Sequence, residues 1–238
     1  METESRKEQI LAAVVEEYTK TGFPVGSDAI AEKYVSASPA TIRAEMAELE
    51  EEGFLHQPHI SAGRVPTDQG FRYFVNQLMR EKPLSLNQQK DLELQLLESR
   101  AQYARLARTT AKLLSGFSKT FAIAGFLEDE NFYESGIKEF LTSSEFTELD
   151  QIAQAAEILD YLDEWLDEIV PKKLEQGTQI FIGEENPISQ LRDYSMIISD
   201  FGLPDGRKGY IAIVGPKRMR YDKNIPLVEF VRGLLGKN

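Results

Sequence analysis

The sequence has no cysteine, a single tryptophan and two histidines among its 238 residues. Without cysteine it can form neither disulfides nor thiolate metal sites, as is usual in a reducing compartment. Apolar runs of about 18 residues, which a membrane-spanning helix needs, are lacking as well. The charged N-terminus shows no signal-peptide pattern. We therefore expect a cytoplasmic globular protein.

Positive charge is scarce too. The formal net charge is −12, and residues 1–80 carry eight Lys and Arg against thirteen Asp and Glu, a net of −5. Because nucleic-acid-binding domains usually present a basic patch, this deficit argues against DNA binding unless the few cations are gathered on one face.

Helix caps and hydrophobic spacing nevertheless predict a winged helix-turn-helix DNA-binding domain over residues 1–80. Ser27, Ser38 and Thr67 are suited to cap helices, and Pro39 suits the first turn of the third one. The third helix buries one stripe, made of Ile42, Met46 and Leu49. The predicted elements are helices over 5–21, 28–34, 38–51 and 67–78, and strands over 54–57 and 64–66. This order is typical of a winged helix-turn-helix.

Residues 84–116 predict a helical connector with a heptad seam. Its seam positions are separated alternately by four and three residues, which is typical of a coiled coil, and two of them, Ser99 and Thr110, are polar. The spacing leaves open whether this face packs on its own domain or on a second copy as a dimer seam. The seam positions are Leu92, Leu96, Tyr103, Leu106 and Leu113.

Residues 117–238 predict an α+β domain. Short apolar runs indicate four strands. One helical stretch separates the first strand from the other three, and a second one follows the last strand. The strands are expected over 120–126, 179–182, 195–199 and 210–214, and helices over 135–170 and after Asn224. The acidic face within 157–168 is interpreted as solvated. The Gly183–Pro187 segment is interpreted as a capped turn, in preference to a pair of catalytic or cation-binding carboxylates. The basic residues within 216–221 contact either a partner or nearby acids.

The third helix carries the candidate base-reading residues. Opposite its buried stripe it presents small and hydrogen-bonding side chains, as a helix in the major groove requires. We expect Thr41, Arg43 and Ala44 to read bases, with Arg43 able to bond both acceptors of a guanine. Ala40 lies on the same face, and Ser38 is expected to contact the DNA backbone. The alternative is a structural helix with a small-residue surface.

The hairpin tip supplies further donors without an intervening acid. Gln57, His59, Ser61 and Arg64 suit contacts with phosphates or the minor groove. Arg72 on the next helix either reaches the backbone or is an exposed arginine without a DNA contact. A metal site formed by His56 and His59 is disfavoured because the segment offers no further ligands. We predict neither a metal nor a cofactor. Because no catalytic triad, P-loop or dinucleotide-binding motif occurs, we also predict no enzymatic activity.

Five segments resemble the family of heat-inducible transcription repressors called HrcA. They are PVGSDAIAEKY (24–34), SPATIRAEMAELEEEGFLHQPHISAGRVPTDQGFRYFV (38–75), SGIKEFLTSSEFTELDQ (135–151), IGEENP (182–187) and GYIAIVGPKRMRYDKNIPLVEFV (209–231). The first two resemble the family's winged helix, and the last two resemble its GAF-like C-terminal domain.

The resemblance implies a homodimeric repressor that binds an inverted-repeat operator upstream of chaperone operons. It also implies that the chaperonin GroEL keeps the repressor competent. The chain is shorter than is usual in the family, and the gap falls between 120–126 and 135–140. The shorter length implies a reduced GAF-like regulatory and dimerisation domain. The helical connector is then an alternative element that could form the two-fold symmetric dimer contact.

Two other functions fit the composition. An acidic winged helix can serve as a protein-interaction scaffold without DNA binding, which the net charge of residues 1–80 favours. Alternatively, the C-terminal domain can sense a small molecule through a GAF-like pocket, although the shortening weakens this hypothesis.

Overall fold

The computed structural model describes residues 5–99, 103–127, 132–141 and 177–236. The chain divides into two compact units, Met1–Arg80 and Glu81–Asn238. The acidic face predicted within 157–168, and most of the helices predicted over 135–170, lie outside the described residues.

The N-terminal unit contains the predicted helices and hairpin in the predicted order. Its elements are α1 (Arg6–Thr21), α2 (Ser27–Lys33), α3 (Pro39–Glu51), β1 (Leu55–His56), β2 (Val65–Pro66) and α4 (Asp68–Tyr73), which continues as a π-helical turn (Phe74–Leu78). The stripe predicted on α3 is buried, with Ile42, Met46 and Leu49 at most 3% exposed. Burial of this stripe against α1 and α2 leaves the opposite side of α3 for solvent.

Two of the three predicted helix caps are confirmed and one is wrong. Ser38 Oγ accepts the N–H of Thr41 at 3.2 Å, and Thr67 Oγ1 accepts the N–H of Gly70 at 3.1 Å. Ser27, in contrast, is not the cap. Gly26 takes the extended conformation of the N-cap, and Ser27 is the buried first residue of α2. The hydroxyl of Ser27 is therefore available to another part of the unit.

The hairpin is joined to the segment before α2 by backbone pairing. Within the hairpin, β1 and β2 are antiparallel, and Val25 adds one further bridge to Arg64. The N–H of Val25 donates to the carbonyl of Arg64 at 2.8 Å, and the N–H of Arg64 donates to the carbonyl of Val25 at 2.9 Å. A Cβ on Gly63 would lie 2.3 Å from the Val25 oxygen, so this close approach requires glycine.

In the described residues, the C-terminal unit is built on a five-stranded antiparallel sheet of order β4-β3-β7-β6-β5. Its elements are α5 (Leu86–Ser99), α6 (Tyr103–Ser118), β3 (Phe121–Phe126), β4 (Phe132–Ser135), α7 (Ile137–Leu141), β5 (Thr178–Ile182), β6 (Tyr194–Gly202), β7 (Lys208–Pro216) and α8 (Tyr221–Leu235). The predicted strands are confirmed, although β6 and β7 are longer than expected. The additional strand β4 is a short edge strand without a continuous apolar run, and its residues are only half-buried or exposed. The α+β fold class is confirmed.

The last helix begins at Tyr221, four residues before the start predicted after Asn224, so that Pro226 lies inside it. Proline lacks the N–H that would bond the carbonyl four residues earlier, which is that of Asp222. The N–H of Lys82 donates to this carbonyl instead, at 2.8 Å. The carbonyl of Asp222 therefore has a donor despite the proline.

The predicted heptad seam is largely buried within the chain's own C-terminal unit. Leu92, Leu96, Leu106 and Leu113 are at most 7% exposed, and α5 and α6 pack on each other and on α8. Tyr103 instead contacts the β6–β7 turn, where its hydroxyl donates to Asp205. The structure therefore favours packing on the same domain over a seam with a second copy.

The segment after β5 is a capped turn, as interpreted from the sequence. Glu185 Oε2 accepts the N–H of Ile182 at 2.9 Å. The buried Asn186 donates its side-chain N–H groups to the carbonyls of Gly183, Leu191 and Tyr194 at 2.9–3.0 Å. These bonds hold the segment in place and give the amide a structural role.

Candidate nucleic-acid interface

The start of α3 is ordered by its own cap. Ser38 Oγ lies 2.8 Å from Thr41 Oγ1 in addition to accepting the Thr41 N–H. Ser38 is exposed and Thr41 is half-buried. Neither hydroxyl is enclosed, so both remain accessible from the N-terminal end of the helix.

The solvent side of α3 presents small residues with an arginine at their edge. Ala40, Arg43 and Ala44 are exposed. The guanidinium of Arg43 donates from Nη2 to Ser27 Oγ at 3.4 Å, a long bond to a neutral partner. Among the ion pairs found in residues 5–99, Arg43 takes part in none. Its charge is therefore held at the edge of α3 without neutralisation by a carboxylate.

Arg43 shares one cleft with the hairpin. The cleft has a volume of about 470 Å³ and is lined on one side by Ser27, Arg43 and Met46, and on the other by Ser61 and Arg64. Asp28 also lines it. The structure thus brings together Arg43, Ser61 and Arg64, which the sequence analysis assigns to DNA from two separate segments.

The hairpin tip, residues 57–64, is closed by the side chain of Gln57. Gln57 Nε2 donates to the carbonyl of Ile60 at 3.0 Å and to that of Ala62 at 2.7 Å. The N–H of Ala62 donates to the carbonyl of His59 at 2.8 Å. Gln57 therefore shapes the tip, while the side chains of His59 and Ser61 are exposed.

A carboxylate of α3 braces the hairpin. Glu50 Oε2 lies 2.8 Å from Arg64 Nε as an ion pair, and Glu50 Oε1 accepts the N–H of Gln57 at 2.8 Å. The Arg64 side chain is 15% exposed. Arg64 is therefore positioned by Glu50 and presents only part of its guanidinium to the cleft. The contacts of Glu50 with Arg64 and of Ser27 with Arg43 are not predictable from local sequence patterns, because each pair is distant in sequence.

Three acidic residues of α3 and its C-cap, unlike Glu50, are paired on a different side of the helix. Glu45 bonds Arg6, and Glu48 and Glu52 both pair with Lys7, at 2.7 and 2.8 Å. The bonds to these carboxylates raise the pKa of Arg6 and of Lys7 above their ordinary values. Helical spacing places these three acids on the flank of α3 opposite the one that carries Arg43.

Six of the nine predicted DNA-binding residues do not line the cleft: Ser38, Ala40, Thr41, Ala44, His59 and Arg72. Arg72 is half-buried on α4 and is not among the residues lining the cleft. His56 lies exposed on β1, and no group of three or more potential metal ligands occurs in the described parts of the chain.

Comparison with known proteins identifies the family. The family model described as "HrcA protein C terminal domain" matches residues 53–225, which is more than half of the chain. The chain belongs to the HrcA family. It is 26% identical to a heat-inducible transcription repressor HrcA of Moorella thermoacetica, in an alignment that covers 100% of this chain and 98% of the relative. That alignment has 338 positions against the 238 residues of this chain, so at least 100 positions have no counterpart here.

Another relative and one solved structure add to this. A repressor of the same name from Symbiobacterium thermophilum is 46% identical over 113 residues, which are 47% of this chain and 33% of the relative. A crystal structure of a hypothetical protein superposes with a TM-score of 0.73 at 16% identity, covering 98% of this chain and 96% of that one. The similarity to this crystal structure concerns the fold alone.

Family membership makes this chain a relative of transcription repressors and not of enzymes. In the part of the chain that the structure describes, no helix combines the length and apolar character needed to cross a bilayer.

Proposed function

We propose that this chain represses transcription by binding an inverted-repeat DNA operator as a homodimer. In the proposed complex α3 enters a major groove, and the hairpin acts as a wing on the neighbouring backbone or minor groove. Two such winged helix-turn-helix modules related by a two-fold axis require a palindromic site. Similarity to a heat-inducible repressor supports regulation of heat-shock genes. From the family resemblance alone, the proposal adds that these genes are chaperone operons and that the protein acts in the cytoplasm.

The observation that carries this proposal is the shared cleft of Arg43, Ser61 and Arg64. A recognition helix and its wing must both face the duplex, and side chains lining one cleft between them satisfy this condition. Ala40 and Ala44 allow α3 to approach the base edges closely. Arg43 has the planar fork that bonds guanine O6 and N7.

We assign base reading to Thr41, Arg43 and Ala44, and backbone contact to Ser38, His59, Ser61 and Arg64. Arg72 on α4 remains a further backbone candidate. The pairing of Glu45, Glu48 and Glu52 with Arg6 and Lys7 supports this assignment over a scaffold without DNA binding. These acids are neutralised away from the cleft.

The C-terminal unit is proposed to be a reduced GAF-like regulatory and dimerisation domain. Its antiparallel sheet, in which β3 and β7 are neighbours, supports an α+β domain of this kind. From the family resemblance alone, the proposal includes GroEL as the partner that keeps the repressor competent.

A salt titration on selected DNA tests the proposal. The full chain is used to enrich duplexes from a random inverted-repeat library, and binding to the enriched and to a scrambled duplex is measured by anisotropy at about 50 and 200 mM salt. We expect a preference of at least about 10³ for the enriched duplex. The expected salt slope is shallow, with about three phosphates neutralised per half-site. Failure to enrich any sequence, or equal binding to both duplexes, would refute sequence-specific repression.

A further inference from the structure

The most exposed large apolar side chain of the N-terminal unit lies at the tip of the wing. Ile60 is 99% exposed. Single exposed apolar residues are common on protein surfaces, so exposure alone carries no conclusion. The backbone around Ile60 and its place beside the cleft distinguish this residue from the others.

The wing holds the backbone of Ile60 rigidly while its side chain extends into solvent. The carbonyl of Ile60 accepts a hydrogen bond from Gln57 Nε2, and the His59–Ala62 bond closes the turn that contains it. Gln57 is itself fixed, because its N–H is bound by Glu50 on α3. The backbone that carries this apolar side chain is thus already ordered, and little backbone entropy remains to be lost on binding.

The residues around Ile60 suit DNA as the occupant. His59 and Ser61 place a hydrogen-bond donor on each side of the apolar tip, and Ile60 and Ser61 both line the cleft that holds Arg43. No Asp or Glu occurs from Gly53 to Thr67. The charged residues that line the cleft are Arg43, Arg64 and Asp28, so its lining is positive by one charge. Such a cleft, with polar donors flanking an apolar tip, complements a phosphate backbone with stacked bases between its strands.

We infer that Ile60 is a wedge that enters the minor groove and partly unstacks a base step at each half-site of the operator. Apolar side chains used in this way kink the duplex toward the major groove. Pyrimidine–purine steps unstack most easily, so the wedge adds a preference for such a step outside the region that α3 reads. This inference rests on the proposed function and adds a second source of specificity to it.

The test compares Ile60→Ala and Ile60→Met with the wild type on the enriched duplex. Methionine keeps an apolar wedge, whereas alanine removes it. Leu94→Ala, at a residue that is 60% exposed on α5, is the matched control for losing exposed apolar surface. Three quantities are measured: affinity, the bend from energy transfer between dyes at the duplex ends, and the fluorescence of 2-aminopurine placed at successive steps.

For the wild type we expect a bend of about 20° or more and a fluorescence increase at one step per half-site. Ile60→Ala should bind about tenfold more weakly, lose most of the bend and lose the fluorescence increase. Ile60→Met and Leu94→Ala should behave as the wild type.

The outcomes distinguish failure of the wedge inference from failure of the proposed function. If Ile60→Ala binds and bends the enriched duplex as the wild type does, the wedge is wrong and sequence-specific binding stands. That result would point to a protein contact at the wing tip. If affinity falls without any change in bend or fluorescence, Ile60 is a surface contact and the wedge is again wrong. If no duplex is enriched by the wild type, both the wedge and the proposed function fall.

Discussion

Arg64 Nε lies 2.8 Å from one oxygen of Glu50, while the other oxygen accepts the N–H of Gln57. One carboxylate of α3 therefore fixes both arms of the wing, because Gln57 follows β1 and Arg64 precedes β2. The position of the wing relative to the recognition helix depends on this carboxylate.

Glu50→Gln should uncouple specific from nonspecific DNA binding. Glutamine keeps an acceptor for the Gln57 N–H but loses the ion pair, so we expect a fall of about 1 kcal/mol in the free energy of unfolding. Removing a negative charge beside the cleft strengthens nonspecific binding, while a less ordered wing weakens specific binding. The ratio of the two affinities should fall by roughly tenfold, or about 1.4 kcal/mol.

Glu51→Gln is the control for Glu50→Gln, since it removes the same charge from a neighbouring exposed position. It should leave the ratio of affinities near that of the wild type. An equal fall in both variants would show that charge alone, and not the position of the wing, determines specificity.

Gly63→Ala should destabilise the N-terminal unit by about 2–4 kcal/mol. Its Cβ would meet the carbonyl oxygen and the nitrogen of Val25 at 2.3 and 2.7 Å, and backbone atoms cannot move aside as a flexible side chain can. Urea denaturation measures the change. Gly116→Ala is the comparison: its Cβ would meet no atom within 4 Å, so helix propensity should make that variant slightly more stable. Equal stability of Gly63→Ala and the wild type would contradict the close pairing of Val25 with the wing.

Local signals predicted most of the N-terminal unit, and tertiary contacts account for what they missed. Ser38 and Thr67 cap helices through bonds that span three residues, so the sequence alone reveals them. Arg43 and Arg64 were predicted as DNA-binding candidates, but their partners Ser27 and Glu50 were not. Each pair joins segments whose proximity depends on the packing of α2, α3 and the wing.

The start of α8 shows the same limit. Pro226 predicts that the helix begins close to it, because a proline inside a helix normally removes a hydrogen bond. Lys82, far away in sequence, supplies the missing donor, and the helix begins at Tyr221 instead. The heptad spacing on α5 and α6 was recognised, whereas the partner of that face could not be read from periodicity.

The double substitution Leu96→Glu/Leu106→Glu should unfold the C-terminal unit. Both leucines are at most 2% exposed within one chain, and burying a carboxylate at either site costs more than the unit can offset. We expect loss of the cooperative thermal transition by circular dichroism. Leu94→Glu, at the exposed position, should remain folded. If light scattering shows that the wild type is a dimer and that the double variant is a folded monomer, the result would instead support a seam between two copies.

The stability that Asp222 contributes should disappear in acid. Burial raises the pKa of its carboxyl, but the hydrogen bonds from Arg220, at 2.8 and 2.9 Å, and from Lys82 outweigh burial and lower the pKa below its ordinary value of 3.8. A carboxylate with a lowered pKa stabilises the fold fully above that ordinary value. It stops doing so as the pH falls through the lower, folded-state pKa.

Asp222→Asn should therefore cost about 1 kcal/mol of unfolding free energy at pH 7, since the partners of Asp222 are partly exposed. The difference from the wild type should shrink progressively below pH 3.8. Glu229→Gln, at an exposed position on the same helix, should show neither effect. A difference that stays constant down to low pH would mean that the carboxylate is not charged when it is bound by Arg220 and Lys82.

Base preference after Arg43→Ala tests most directly whether the cleft faces DNA. Binding of the wild type and the variant is measured to the enriched duplex and to every single base-pair substitution within it, with Arg80→Ala as the control for losing a cation. We predict a loss of about 1–3 kcal/mol and relaxed preference at one position of each half-site for Arg43→Ala alone. An Arg43→Ala variant that keeps the affinity and base preference of the wild type would contradict this assignment.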